Sequence, residues 1–476
     1  MSAREDFGAA AAVGLLRGGF QLLLWGLGYR VLTVDDYLRT AVAAAMPNHW
    51  QWFPDPFFLP AYFWIYSIPY RLGFSVSAGS IGATVLLACA SSALLYLLLR
   101  KLELPAGHAF LGALLFSAQP MCLWLGGVPL SETLGLVLLL TVLWLWDSPS
   151  RALRFAAVAA LALVTLVRYE SWLYAIFFAG IVLGDRRFGF PERILRSVGA
   201  LSGFVVFALW RLSGPDPWGP LLFSQDTAVQ YLTPRVQLGH VIAGGIALLP
   251  LGFLALVAAI LFGRYWVPGV RRAPLLIAWS LWSLANLFLP LISIGYYPMV
   301  FPVRSLLTGA VLFWLLSFPS LSRILARLSP AMLAAVGIGG IAVLAPLSFR
   351  PLPEVKEETL SAARVLGSVL PELGASTLLL ERRDLGWTVL WGLNNGDRRI
   401  IFDRRDFDVP SPLATVEGAM TFFAAHPEAA CVLTASREGR NAAAAVRPEW
   451  TPKWSDGKYT LSCVPGFTKT AANAAR

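Results

Sequence analysis

Charge is scarce along this chain. Asp, Glu, Lys and Arg make up 14% of its 476 residues, where an ordinary soluble domain carries roughly 25%. The chain also lacks a glycine-rich phosphate loop of the Walker kind, an HExxH pair and any Cys/His cluster, which argues against a soluble nucleotide site and a preassembled metal site. There is no internal repeat, and low complexity is confined to Ala-rich patches such as NAAAAV. Only four cysteines occur: Cys89 and Cys122 sit inside apolar runs as packing residues, while Cys431 and Cys463 lie close to the end of the chain.

What is abundant is apolar surface. With 57% hydrophobic residues and a mean hydropathy of +0.64, the chain reads as an integral membrane protein. The net charge of +10 does not imply nucleic acid, because the basic residues fall in short clusters between apolar runs. Helices are predicted over 9–32, 76–99, 107–125, 131–146, 153–168, 171–184, 195–212, 240–262, 274–294, 302–318 and 331–349, about 11 spans in all. Those at 131–146 and 171–184 fall short of the roughly 20 residues that a full crossing needs, so they are expected to border a cavity within the membrane.

The positive residues set the orientation. With the N-terminus in the cytoplasm, the cytoplasmic loops carry pairs and clusters such as Arg100–Lys101, Arg151 with Arg154, Arg186–Arg187, and Arg271–Arg272. The opposite side carries singles such as Arg30, Arg39, Arg71, Arg168 and Arg304. No cleavable signal is expected, because the first apolar run is long and an acidic pair follows it. The proline- and aromatic-rich stretch to about residue 75 fits a large external loop with two interfacial helices better than a span.

Two domains follow: a membrane domain over 1–350, with its first external loop at about 33–75, and a small soluble α/β domain over 351–476. In the tail, STLLLE, RRIIFD and ACVLTA read as strands alternating with helical stretches near 354–370, 385–394 and 415–425. The odd span count puts this tail outside the cytoplasm, where Cys431 and Cys463 can pair in a disulfide.

Candidate functional residues gather at the external edge. VLTVDDYLRTAVA places Asp35 and Asp36 just past the first helix, with Arg39 one turn later; PLSETL holds Glu132; LVRYESW holds Arg168 and Glu170; GYYPMVFPVRSLL holds Tyr296, Tyr297 and Arg304. Ionisable residues this close to a bilayer point to a solvated cavity, a cation or a reaction. Each also has a plain structural reading. The Asp pair can cap a helix, Glu132 can be an acid favoured by a helix N-terminus, Arg168 and Glu170 can pair with each other, and Arg304 can snorkel to the interface.

Taken together, the order and sidedness of these motifs resemble the GT-C superfamily of polytopic glycosyltransferases, in particular the protein O-mannosyltransferase and aminoarabinose transferase relatives. The resemblance covers the membrane part, about three quarters of the chain. It implies a GT-C-like polytopic α-helical membrane protein in the plasma (inner) membrane of a bacterium. The donor would be a polyprenyl-phosphate-linked sugar, and the acceptor a lipid, a glycan or a protein. Asp35 becomes the base of an inverting attack, with Asp36 as its hydrogen-bond partner or a helix cap and Glu132 as a second acid. Arg304 contacts the phosphate beside Tyr296 or Tyr297, and Arg39, Arg168 and Glu170 complete the substrate-binding set. No cofactor is implied, and a divalent metal ion stays open. The competing classes are a lipid or sugar transporter, for which the one-sided charges and absent repeat are unfavourable, and a non-catalytic scaffold.

Overall fold

Proline opens helix after helix in this chain. Pro60, Pro120, Pro250, Pro268, Pro274, Pro302 and Pro330 are each the first residue of a helix. The missing N–H costs nothing there, and the fixed φ suits the first turn. The computed structural model describes residues 3–26, 39–40, 43, 59–74, 76–212, 246–262, 268–271, 273–288, 302–326, 329–347, 377–381, 400–402, 411–455 and 459–465. They divide into two compact units. One comprises Met1–Arg30, Pro56–Tyr62 and Thr84–Pro351; the other comprises Val31–Asp55, Phe63–Ala83 and Leu352–Arg476.

The first unit is helical. Among the described residues, four helices have stretches long and apolar enough to cross a bilayer: Glu5–Leu24, Ala78–Lys101, Phe190–Trp210 and Leu306–Arg323. Together with the composition they make this an integral membrane protein. Shorter apolar helices accompany them. Ser131–Leu145 (α6) and Ser171–Gly184 (α8), with 15 and 14 residues, run only about 22 and 21 Å, against a hydrocarbon layer of about 30 Å. Arg151–Thr165 (α7) packs against α6, and Phe190–Leu212 (α9) packs against both α7 and α8.

The helix expected over 302–318 continues through Pro319 to Leu325, and three others differ from the sequence expectation for a local reason. The first, Ala3–Gly26 (α1), starts six residues before position 9 because Asp6 reaches Arg100 at 2.7 Å and anchors the polar first turn. Helix α9 starts at Phe190 rather than 195, since Glu192 in its first turn pairs with Arg154 of α7 at 2.7 Å. The run at 107–125 is two helices, Ala106–Ser117 (α4) and Pro120–Leu125 (α5), broken at Ala118–Gln119. Gln119, fully buried, repairs the break. Its Nε2 donates to the Phe116 carbonyl at 3.3 Å, while its Oε1 accepts from the amides of Leu251 and Gly252 at 2.9 and 3.1 Å, at the start of Pro250–Phe262 (α10). One side chain thereby satisfies backbone groups at two helix ends. In the first-loop region Pro60–Arg71 (α2) is helical but only 12 residues long, with Pro69 inside it.

In the second unit, the described part of the tail forms a five-stranded sheet of order β2-β1-β3-β5-β4, from β1 (Thr377–Leu380), β2 (Ile400–Phe402), β3 (Ala429–Thr434), β4 (Thr451–Ser455) and β5 (Thr460–Cys463). Strands β2, β1 and β3 are parallel, and β3, β5 and β4 antiparallel. Neither β4 nor β5 is expected from the sequence. Strand β4 sits at the edge and its register shifts between Pro452 and Trp454, both settings in which a strand proline is tolerated. Two helices, Val416–Ala425 and Arg437–Val446, contribute Phe422, Phe423, Ala442 and Ala443 to a core with Leu379, Val432 and Trp450. Glu381, following β1, accepts from the Ala435 and Ser436 amides at 2.7 and 2.8 Å at the start of the second helix. The helical stretches expected near 354–370 and 385–394 lie outside the described residues.

Cys431 and Cys463 face each other across β3 and β5 and are joined in a disulfide, 32 residues apart in sequence. Replacing both with serine lowers the stability of the tail by about 2–4 kcal/mol, measured as denaturant-dependent proteolysis of the tail in the full-length protein.

Candidate functional site

Three of the acids and bases singled out in the sequence meet in the first unit. Glu132 is the second residue of α6, where the helix N-terminus favours a carboxylate. Arg168 and Glu170 lie in the short turn between α7 and α8. Arg168 Nη1 reaches Glu132 Oε1 at 2.9 Å and Ser131 Oγ at 3.3 Å, and its Nη2 reaches Glu170 Oε1 at 2.7 Å. Their side chains are 14%, 8% and 13% exposed, so this is a buried triad with one cation between two carboxylates. Burial alone works against the charged guanidinium. The attraction of Glu170 and Glu132 outweighs it, and Arg168 holds its proton above the ordinary arginine range.

The surroundings fix this geometry. Gly135 lies one turn along α6, and a Cβ there would come within 3.0 Å of Arg168 Cδ, so the glycine gives the arginine stem its path along the helix. Trp172 Nε1 closes the turn by donating to the Thr165 carbonyl at 2.8 Å, and the rings of Tyr169 and Trp172 lodge edge-on against Phe207 of α9. The loop before Glu132 is tied down as well, since Thr133 Oγ1 donates to the Leu125 carbonyl at 2.7 Å. The start of α2 grips both loops: the Ala61 amide donates to the Leu166 carbonyl at 3.0 Å, and the Tyr62 hydroxyl donates to the Pro129 carbonyl.

The remaining sequence candidates are not brought into this cluster by anything described. Asp35, Asp36, Tyr296 and Tyr297 lie outside the described residues. Arg304 is the third residue of Pro302–Leu325 (α13), with its side chain outside the described part. Arg39 is helical and half-buried and belongs to the second unit. The sequence reading passes over Tyr62 and over Arg17, a cation in the middle of the first apolar run. An ionisable residue at that depth is itself a signal.

No protein-family model matches the chain, and no curated protein matches it. Solved structures do. The crystal structure of ArnT from Cupriavidus metallidurans bound to undecaprenyl phosphate matches 98% of this chain and 99% of its own, with a TM-score of 0.61 and 14% identity. This chain has a GT-C fold. The apo state of the same ArnT matches 95% of the chain and 98% of its own at a TM-score of 0.56 and 13% identity. The cryo-EM structure of the arabinofuranosyltransferase AftD from Mycobacteria matches 97% of the chain and 40% of its own, with a TM-score of 0.47 and 15% identity. Within the GT-C fold of this chain, the triad lies where the loop before α6 and the turn before α8 come together.

Removing the central cation should be the most costly change in the triad. Arg168→Met leaves two carboxylates buried side by side and lowers stability by about 3–5 kcal/mol. Glu132→Gln leaves the Arg168–Glu170 pair neutral and costs less. Thermal unfolding of both variants in nanodiscs checks the order.

Proposed function

We propose that this chain is a membrane glycosyltransferase that moves a sugar from a polyprenyl phosphate to a hydroxyl-bearing acceptor at the extracytoplasmic face of a bacterial plasma membrane. The observation that carries the reading is the near-complete overlay on ArnT, in a structure that holds undecaprenyl phosphate. In this reading residues 1–350 perform the transfer, and 351–476 form an extracytoplasmic domain.

The reaction needs a base on one side of the anomeric carbon and a cation on the other. Asp35 takes the proton of the acceptor hydroxyl as the acceptor oxygen bonds to the anomeric carbon with inversion. The bond from that carbon to the phosphate oxygen breaks, and its electron pair leaves on the phosphate. Arg304 stabilises that charge, with Tyr296 and Tyr297 beside it and Arg39 as a further contact. Asp36 supports Asp35. Glu132 is the second acid of the site, and the Arg168–Glu170 pair holds it in place. These residues supply the proton transfer and charge stabilisation themselves, so transfer is expected to survive chelation of divalent ions.

Labelled sugar transfer from synthetic polyprenyl phosphates by the purified protein, with and without EDTA, tests the reading. A protein that moves intact donor across vesicles without cleaving it is a transporter instead. Asp35→Asn should abolish transfer with folding and donor binding nearly intact, and Asp36→Asn should cost less. If the Asp36 variant fails and the Asp35 variant works, the base is the other neighbour. Arg304→Ala should weaken both donor binding and turnover, through loss of a charge-assisted contact of about 1.5–3 kcal/mol.

A further inference from the structure

Arg17 lies in the membrane-crossing part of α1 and is 5% exposed. Among the described residues no carboxylate pairs with it. Its guanidinium instead forks between Gln21 Oε1, at 2.7 Å, and the backbone carbonyl of Cys122, at 2.6 Å. Charge in such a place is expensive, and the question is what this cation does there.

A ligand is the first candidate. The cavity beside Arg17 is lined by Ser91, Ser92, Ser117 and Thr133 and measures about 30 Å³, room for a water or two and too small for a sugar or a phosphate. The hydroxyl protons are also committed. Ser91 and Ser92 donate to Ala88, Ser117 bonds to Ser92, and Thr133 donates to Leu125. The four hydroxyls therefore turn acceptor lone pairs to the cavity and give Arg17 no help in holding an anion there.

The other candidate is the backbone that Arg17 grips. Cys122 lies within α5, and its carbonyl, which also accepts from the Gly126 amide at 2.9 Å, ends the helix where a turn runs through Gly126 and Gly127 to Pro129 and leads to Glu132 at the start of α6. A Cβ on Gly126 would lie 2.2 Å from Arg17 Nη2, and one on Gly127 would lie 2.6 Å from Gln21 Nε2. The two glycines are the gap through which both side chains press on the turn. The same turn is held at Leu125 by Thr133 and at Pro129 by Tyr62. Arg17 supplies the third hold, at Cys122, and the planar fork of an arginine sets the direction of that carbonyl as well as its distance.

We propose that Arg17, seated by Gln21 through the Gly126–Gly127 gap, is a positioning residue for Glu132, fixing from α1 the turn that presents this acid. The role rests on the glycosyltransferase reading in taking Glu132 as part of the reacting site.

The test uses full-length protein in nanodiscs with a labelled polyprenyl-phosphate sugar. Arg17→Met should lower kcat by about 10- to 100-fold, the effect of a misplacement of around 1 Å, with donor KM unchanged. Its melting temperature should stay level or rise, because a buried charge has been replaced by an apolar chain. Arg17→Lys, which keeps the charge and a donor, should recover part of kcat. Gly126→Ala, which pushes the guanidinium away, should mimic Arg17→Met, and the double variant should be no slower than the slower single one. Amide exchange over residues 122–133 should quicken in Arg17→Met. A melting temperature that falls along with kcat, an unchanged kcat, a multiplicative double variant, or exchange at the wild-type rate each overturns the proposal. Failure of the wild-type protein to transfer sugar from any donor overturns the glycosyltransferase reading instead, and the exchange comparison then decides the positioning claim alone.

Discussion

A peptide group inside a bilayer has no water to bond with, so every place where a helix stops short must find its partners within the protein. That constraint organises the first unit. Helix α4 stops after 12 residues, about 18 Å, and α10 begins with its first amides in need of acceptors. The carboxamide of Gln119 serves both ends at once, and the breaks in two separate helices become one joint. Other polar side chains buried between the helices do the same work on a smaller scale. Trp314 donates to the Gly112 carbonyl, Ser317 to Ala255 and Trp279 to Tyr174.

Charge follows the same logic at greater cost. Arg168 is tolerable under cover because two carboxylates and a serine hydroxyl surround it, and those carboxylates are tolerable because Arg168 lies between them. Such a triad holds two loops in register without much movement. Near the far end of α7, Arg154 and Glu192 make a comparable pair, with Arg196 stacked over Phe188 at 4.6 Å and donating to the Trp146 carbonyl. Arg17 differs in kind, since the groups that receive its hydrogen bonds are neutral.

Much of the helical layout is legible in the sequence, because apolar runs between basic clusters mark the helices and α8 spans Ser171–Gly184 as its run of residues suggests. The break inside 107–125 is not legible. Its apolar composition continues through Pro120, and the partners that make the break affordable lie more than 130 residues away, at Leu251 and Gly252. The same separation hides the triad. Scarcity of charge is enough to single out Glu132, Arg168 and Glu170, but not to say that one arginine would take both acids across 36 residues of chain. Strands β4 and β5 escape notice because each is short and one carries a proline, and their pairing with β3 depends on a register that only the folded sheet supplies.

The shortness of α8 reaches beyond the protein. Ile176, Phe177 and Leu183 are exposed on it, an apolar face on a helix only about 21 Å long. Lipid packed against such a face would have to compress to match it, at fractions of a kcal/mol for each ångström of mismatch. A collar of membrane along that flank would then be thinner than the surrounding sheet, with the headgroups of the two leaflets drawn closer together and shorter-chain regions of the bilayer favoured.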